Sequence, residues 1–196
     1  MQLSHAISDS VLTLTGLFVF FNYLKKLNPT SRWLWSSFIL AITAAAFFGA
    51  IRFWGYPPAR AISEIFQHFA GTVGAIGLAL ASYLLVMRKE IAQNYIFGAM
   101  GLGLLLFIWV QISGNNSLVQ KTSLIAIPVV LLIGIWGLIK RKKAESTWLI
   151  LGVVLLIAAT LNKTIAANFN LDAVDVYHYL VAISVLCLGK ATHFTK

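Results

Sequence analysis

Asn168-Phe-Asn-Leu-Asp-Ala-Val-Asp-Val-Tyr-His-Tyr-Leu180 leads straight into an apolar run that reaches Leu188. Asp172, Asp175 and His178 stand three residues apart, so a helix puts them on one face, which continues into Ala182. Ionisable groups at the mouth of a membrane helix are costly, and they usually face a protein interior or a water-filled cavity. The stretch therefore sets two expectations: a helix that crosses a bilayer, and a site where that helix begins.

The composition agrees. Of 196 residues, 59% are hydrophobic and 11% charged, and the apolar residues fall in runs long enough to span a bilayer, which marks an integral membrane protein. A net charge of +9 could point to nucleic acid, but the basic residues lie in short clusters between apolar runs, as topology signals do, so nucleic acid is not the expected partner. The single cysteine, Cys187, lies inside an apolar run; it excludes an intrachain disulfide and reads as a small core residue. No Lys or Arg precedes the first apolar run and Asp9 lies within it, so residues 5–24 read as a retained helix rather than a cleaved signal.

Seven spans are expected, at about 5–25, 33–55, 62–87, 93–113, 121–139, 146–162 and 174–192, forming one all-α domain over residues 1–196. Breakers separate them at Asn28-Pro29, Pro57-Pro58, Gly114-Asn115-Asn116 and Asn168 to Asn170. Loops one, three and five with the C-terminal tail hold Lys25, Lys26, Arg32, Arg88, Lys89, Lys140, Arg141, Lys142, Lys143, Lys190 and Lys196; the other side holds Arg52, Arg60, Lys121 and Lys163. The positive-inside rule then puts the N-terminus outside and the C-terminus in the cytoplasm. Trp33, Trp35, Trp54 and Trp148 suit an interfacial belt, and Gly71, Gly74, Gly77, Gly98, Gly101 and Gly103 offer small faces for close helix approach.

With that topology the ionisable groups collect at one end. Asp9, Glu64, Asp172, Asp175, His5, His68, His178 and Arg52 all fall at the outer ends of spans one, two, three and seven, while Glu90 and Glu145 sit beside cytoplasmic basic residues as surface charges. His5, Ser8 and Asp9 share a face by steps of three and four, as do Glu64 with His68 and Asp175 with His178. Imidazole nitrogen and carboxylate oxygen are the ligands zinc takes when cysteine is absent, which makes His5, His68 and His178 candidate metal ligands. Asp9 or Asp175 would move a proton, and Ser8 or Arg52 would polarise a carbonyl; Ser8 is expected to be a hydrogen-bonding group because no base sits at a spacing that marks it as a nucleophile. Plainer roles are also open: Arg52 in an ion pair with Asp9 or Asp175, Glu64 as a first-turn acid, and Asp172 as a helix N-cap.

The seven spans, the Ser8-Asp9 pair in an early helix, and a last helix opening with Asp175-Val-Tyr-His178 and running on to Gly189 resemble the CREST superfamily of alkaline ceramidases and adiponectin receptors. Ser8-Asp9-Ser-Val-Leu, Gly49-Ala-Ile-Arg52-Phe and Phe169-Asn170 through His178 resemble a divergent bacterial branch of it. The resemblance implies a zinc ion held by three histidines, one in the second helix and two spaced by four in the seventh, and hydrolysis of lipid amides. His178 matches the second of the seventh-helix pair, while Val174 stands where the first is expected and Arg52 near the place of the second-helix histidine.

Two functions follow as expectations. One is a membrane-embedded, metal-dependent hydrolase of a lipid amide or ester with its site at the extracytoplasmic face. The other is a non-catalytic lipid-binding or sensory protein in which Arg52 has replaced the metal.

Overall fold

The computed structural model describes residues 2–88, 91–169 and 171–194, with backbone alone for Gln2, Lys163, Ile165, Asn168 and Phe169. Lys89, Glu90, Asn170 and Lys196, which entered the charge count, the surface assignments or the motif above, lie outside the described residues.

The described chain is helix and turn throughout. It comprises α1 (Gln2–Asn22), α2 (Pro29–Phe53), α3 (Ala59–Phe69), α4 (Ala75–Met87), α5 (Gln93–Ser113), α6 (Asn116–Ile139), α7 (Lys143–Thr160), the short α8 (Asn162–Phe169) and α9 (Ala173–Thr192). A π-helical turn over Ala70–Gly74 joins α3 to α4 as one rod, and with that rod counted once, seven helices among the described residues are long and apolar enough to cross a membrane. Their bounds fall within a few residues of the expected spans, the largest departure being the fifth, which begins at Asn116 rather than about residue 121. The sequence reading did not foresee α8, because its eight residues hold no sustained apolar run. Asn162 Nδ2 donates to the Ala173 carbonyl at 2.7 Å and ties α8 to the start of α9.

Local chemistry sets the helix ends. Pro29 opens α2 with a preset φ and no N–H to satisfy, and the Asn28 side chain caps it by accepting from the Ser31 N–H at 2.8 Å. Gly114, at φ +64°, ends α5 in the left-handed region that glycine adopts freely, and Asn115 caps α6 by accepting from the Ser117 N–H.

The helices form a closed circuit. α1 packs on α2, α2 on the α3–α4 rod, α4 on α6, α6 on α7, α7 on α9, and α9 back on α1; α5 leans on the rod from outside. Polar side chains inside the circuit find carbonyls: Ser63 Oγ donates to Ala45 O at 2.8 Å across α3 and α2, and Ser184 Oγ to Gly152 O at 2.7 Å across α9 and α7. Gly74 lets α2 approach so closely that a Cβ there would lie 2.9 Å from the Ser37 carbonyl oxygen.

Three packing expectations need correction. Gly98 and Gly101 face open space, with nothing within 4 Å of where a Cβ would be, because α5 is the peripheral helix. Trp35 is 1% exposed and belongs to the core, since its position on α2 turns inward; Trp33 and Trp54 do face outward. Glu145 is no surface charge: at 5% exposure it accepts from Arg88 Nη2 at 2.9 Å, which joins the end of α4 to the start of α7. Large apolar side chains such as Leu105, Ile112, Leu124 and Leu132 cover the outer surface.

Candidate active site

α1 and α9 run parallel. Ser8 faces His178 near their N-terminal ends, and farther along a Cβ on Gly189 would lie 2.5 Å from Val19 Cγ1. Both pairs are separated by 170 positions, so the two helices stay in step over that length. An odd number of spans gives the first and last the same direction, and their adjacency brings two polar faces together.

From α1, steps of three and four put Ser4, His5, Ser8 and Asp9 toward α9. From α9 come Asp175 and His178. Asp172 sits just before the helix as its N-cap, accepting from the Val174 N–H at 2.8 Å, as one plain reading expected.

The resulting network is continuous. Asp175 Oδ1 lies 2.7 Å from Ser8 Oγ and 3.1 Å from His5 Nδ1, and its Oδ2 accepts from Ser4. Ser8 Oγ is 3.1 Å from His178 Nδ1, and His178 Nε2 is 3.2 Å from Asp9 Oδ1. Ser8 is fully buried and Asp9 is 3% exposed, so the chain from hydroxyl to imidazole to carboxylate runs inside the protein.

That order of contacts sets the protons. A carboxylate only accepts, so the hydrogen of His178 lies on Nε2 toward Asp9, and Nδ1 is left to accept from Ser8. The Ser8 hydroxyl thus has three competing acceptors, His178 Nδ1, Asp175 Oδ1 and the His5 carbonyl at 3.1 Å. A hydroxyl bonded to a ring nitrogen whose other nitrogen is held by a carboxylate is the arrangement that activates a serine. No local spacing puts a ring nitrogen beside Ser8; the one that lies 3.1 Å from it comes from a helix 170 positions away.

The metal candidates are redistributed as well. His5 Nδ1, Asp172 and Asp175 each offer one ligand atom, all within 4.8 Å of one another. Ligands about 2.1 Å from a tetrahedral ion are separated by about 3.4 Å; His5 Nδ1 lies 3.1 Å from Asp175 Oδ1 and 3.7 Å from Asp172 Oδ1. The donor set thus has the chemistry and spacing for a zinc-like ion. His178, by contrast, is engaged at both nitrogens, with Ser8 and Asp9.

His68 takes no part. Its Nδ1 lies 2.7 Å from Gln111 Oε1, because α3 packs on α2 and α5 rather than on α1 or α9. Glu64 likewise turns aside to Arg60, which donates from Nε at 2.7 Å, and it lies in the second turn of α3, not the first. Span three therefore contributes nothing to the cluster.

Arg52 makes no ion pair among the described residues. Its guanidinium lies over the Phe53 ring at 4.7 Å. α2 instead supplies Phe53, whose ring is 4.9 Å from that of His5, and Gly49, which leaves room for the Asp9 carboxylate. Sequence reasoning missed Ser4 and Gly49. Ser4 stood four residues before Ser8 on the same face; the role of Gly49 had no local signal.

No curated protein and no solved structure matches the chain. A family model does match it over residues 4–195, a length that takes in both helices of the cluster, and the chain belongs to that family of unknown function, DUF6962.

Proposed function

We propose that the chain is an integral membrane hydrolase that cleaves an amide or ester bond of a lipid, with its centre between α1 and α9. The observation that carries the reading is the buried relay from Ser8 Oγ to His178 Nδ1, at 3.1 Å, and from His178 Nε2 to Asp9 Oδ1, at 3.2 Å. His178 accepts the Ser8 proton as the hydroxyl attacks the acyl carbon, Asp9 holds the imidazole in the required tautomer and stabilises its charged form, and the same proton goes to the leaving amine or alcohol. Asp175 holds Ser8 in place before attack. Water then releases the acyl group by the reverse use of His178.

A zinc ion held by His5, Asp172 and Asp175 would supply Lewis-acid polarisation of the carbonyl oxygen. The likeness to the CREST superfamily supports a lipid substrate and shares Ser8, Asp9, Asp175 and His178. The distribution of Lys and Arg supports an outer N-terminus, a cytoplasmic C-terminus and an extracytoplasmic centre in a bacterial inner membrane.

The test is hydrolysis of fluorescent lipid amides and esters in mixed micelles by protein purified without chelator, beside Ser8→Ala and His178→Gln. Wild type should turn over at least one class, and each variant should lose more than about a hundred-fold. Activity that survives His178→Gln sinks the reading.

One observation favours a second reading. Ser4, His5, Ser8, Asp9, Asp175 and His178 each already have a partner within the protein, as in a network that only locks two helices together. A non-catalytic lipid-binding or sensory protein would then show no turnover and no bound metal, yet would lose thermal stability on Ser8→Ala.

A further inference from the structure

At the other end of the bundle, about 20 Å from Ser8 by the rise of α1, lies a cavity of about 740 Å³. It opens where α1 and α9 finish, α2 begins, and α4 passes over to α5. Lys26, Arg88 and His193 line it, and no Asp or Glu does so among the described residues.

The cations there are not all spent on the protein itself. Lys26 is exposed and makes no ion pair among the described residues. Arg88 is fixed by Glu145 at 2.9 Å and the Phe194 carbonyl at 3.5 Å, but both bonds use Nη2, which leaves Nε and Nη1 to donate. Thr30 and Ser31 of the first turn of α2 add hydroxyls to the same wall. A cavity with cationic donors, hydroxyls and no carboxylate selects an anion that accepts several hydrogen bonds, and a phosphate group is the common one.

A second, smaller cavity of about 210 Å³ adjoins it, sharing Thr30, Gln93 and Ile96. Its other walls are Pro29, Trp33 and Phe97, and the last two are exposed on the outer surface, with ring centroids 6.4 Å apart. A polar, cationic chamber thus passes into an apolar slot between α2 and α5 that faces outward.

We infer that this end of the bundle binds an anionic phospholipid, its phosphate headgroup in the Lys26–Arg88 chamber and an acyl chain along the Trp33–Phe97 slot. The site is separate from the hydrolytic centre. The same end carries most of the chain's Lys and Arg, as suits a leaflet with negative surface potential. Among the described residues that line the chamber choline would find no carboxylate partner, which disfavours a zwitterionic lipid.

Native mass spectrometry of the full chain in detergent, with dioleoyl phosphatidylglycerol, dioleoyl phosphatidylcholine or inorganic phosphate added, tests this. Phosphatidylglycerol should be retained about ten-fold more tightly than phosphatidylcholine, and inorganic phosphate should bind far more weakly than either arrangement with a chain. Lys26→Gln should weaken phosphatidylglycerol about ten-fold, and Trp33→Ala about three-fold. Both side chains are exposed, so a melting temperature within a few degrees of wild type should accompany the loss. Equal retention of the two lipids, or a Lys26→Gln variant that binds like wild type, overturns the inference. Phosphate alone binding as tightly as the lipid overturns it in favour of a soluble anion. The assay reads binding only, so its failure and the failure of the hydrolytic reading are separate results.

Discussion

Gly49 on α2 stands directly against Asp9 on α1: a Cβ at Gly49 would lie 2.5 Å from Asp9 Oδ2 and 2.9 Å from Asp9 Cγ. The absent side chain leaves the space in which the carboxylate meets His178. Gly49→Ala should push Asp9 away from the imidazole, cost about 1–3 kcal/mol through overpacking, and lower hydrolysis by more than the stability loss explains. Thermal melting and turnover measured on one preparation separate the two effects. Unchanged turnover would mean that Asp9 does not orient His178.

The redistribution of ligands gives a prediction about metal alone. Asp175→Asn and His5→Ala should each abolish zinc in protein purified without chelator, whereas His68→Ala should keep the wild-type content. Elemental analysis reads this directly. Zinc lost from His68→Ala and kept in His5→Ala would return the metal to α3.

The Arg88–Glu145 pair is asymmetric, with the arginine side chain 47% exposed and the glutamate side chain 7%. Removing the arginine strands a buried carboxylate, so Arg88→Ala should cost about 3 kcal/mol. Glu145→Ala leaves a cation that water can reach, and should cost about 1 kcal/mol. The double variant Arg88→Ala/Glu145→Ala should recover part of the larger loss. Equal losses in denaturant or thermal titrations would contradict the burial difference.

Two glycines on neighbouring helices should respond in opposite ways to alanine. Gly74→Ala forces a methyl to 2.9 Å from the Ser37 carbonyl oxygen and 3.0 Å from Phe38 Cα, which are backbone atoms that cannot swing aside. It should destabilise by about 1–3 kcal/mol. Gly101→Ala meets open space and removes a poor helix former, so it should be neutral or stabilise by up to about 1 kcal/mol. Comparable melting shifts in the two variants would refute the packing described.

The sequence made the helices legible because length and hydropathy alone define a span, and seven were placed within a few residues. It also gave the depth of His5, Ser8, Asp9, Asp175 and His178, since position along a span fixes how far a side chain sits from the end. It could not give direction around the helix axis relative to a neighbour. His68 belongs to a helix that packs on α2 and α5, and it lies beyond Ser63, which already meets Ala45, so it falls short of the end of α2 where Gly49 meets Asp9, and its partner is Gln111. The same blindness hid the imidazole beside Ser8 and turned Trp35 outward in expectation. Glu145 was misread for a related reason: a carboxylate beside a run of four basic residues looks solvated until the arginine that covers it, 57 positions earlier, is found.

The parallel pairing of α1 and α9 also sets an order in time. Ser8 and Asp9 are made with the first helix, and His178, which lies within hydrogen-bond distance of both, with the last. The network between the two helices is thus completed only when the circuit of helices shuts.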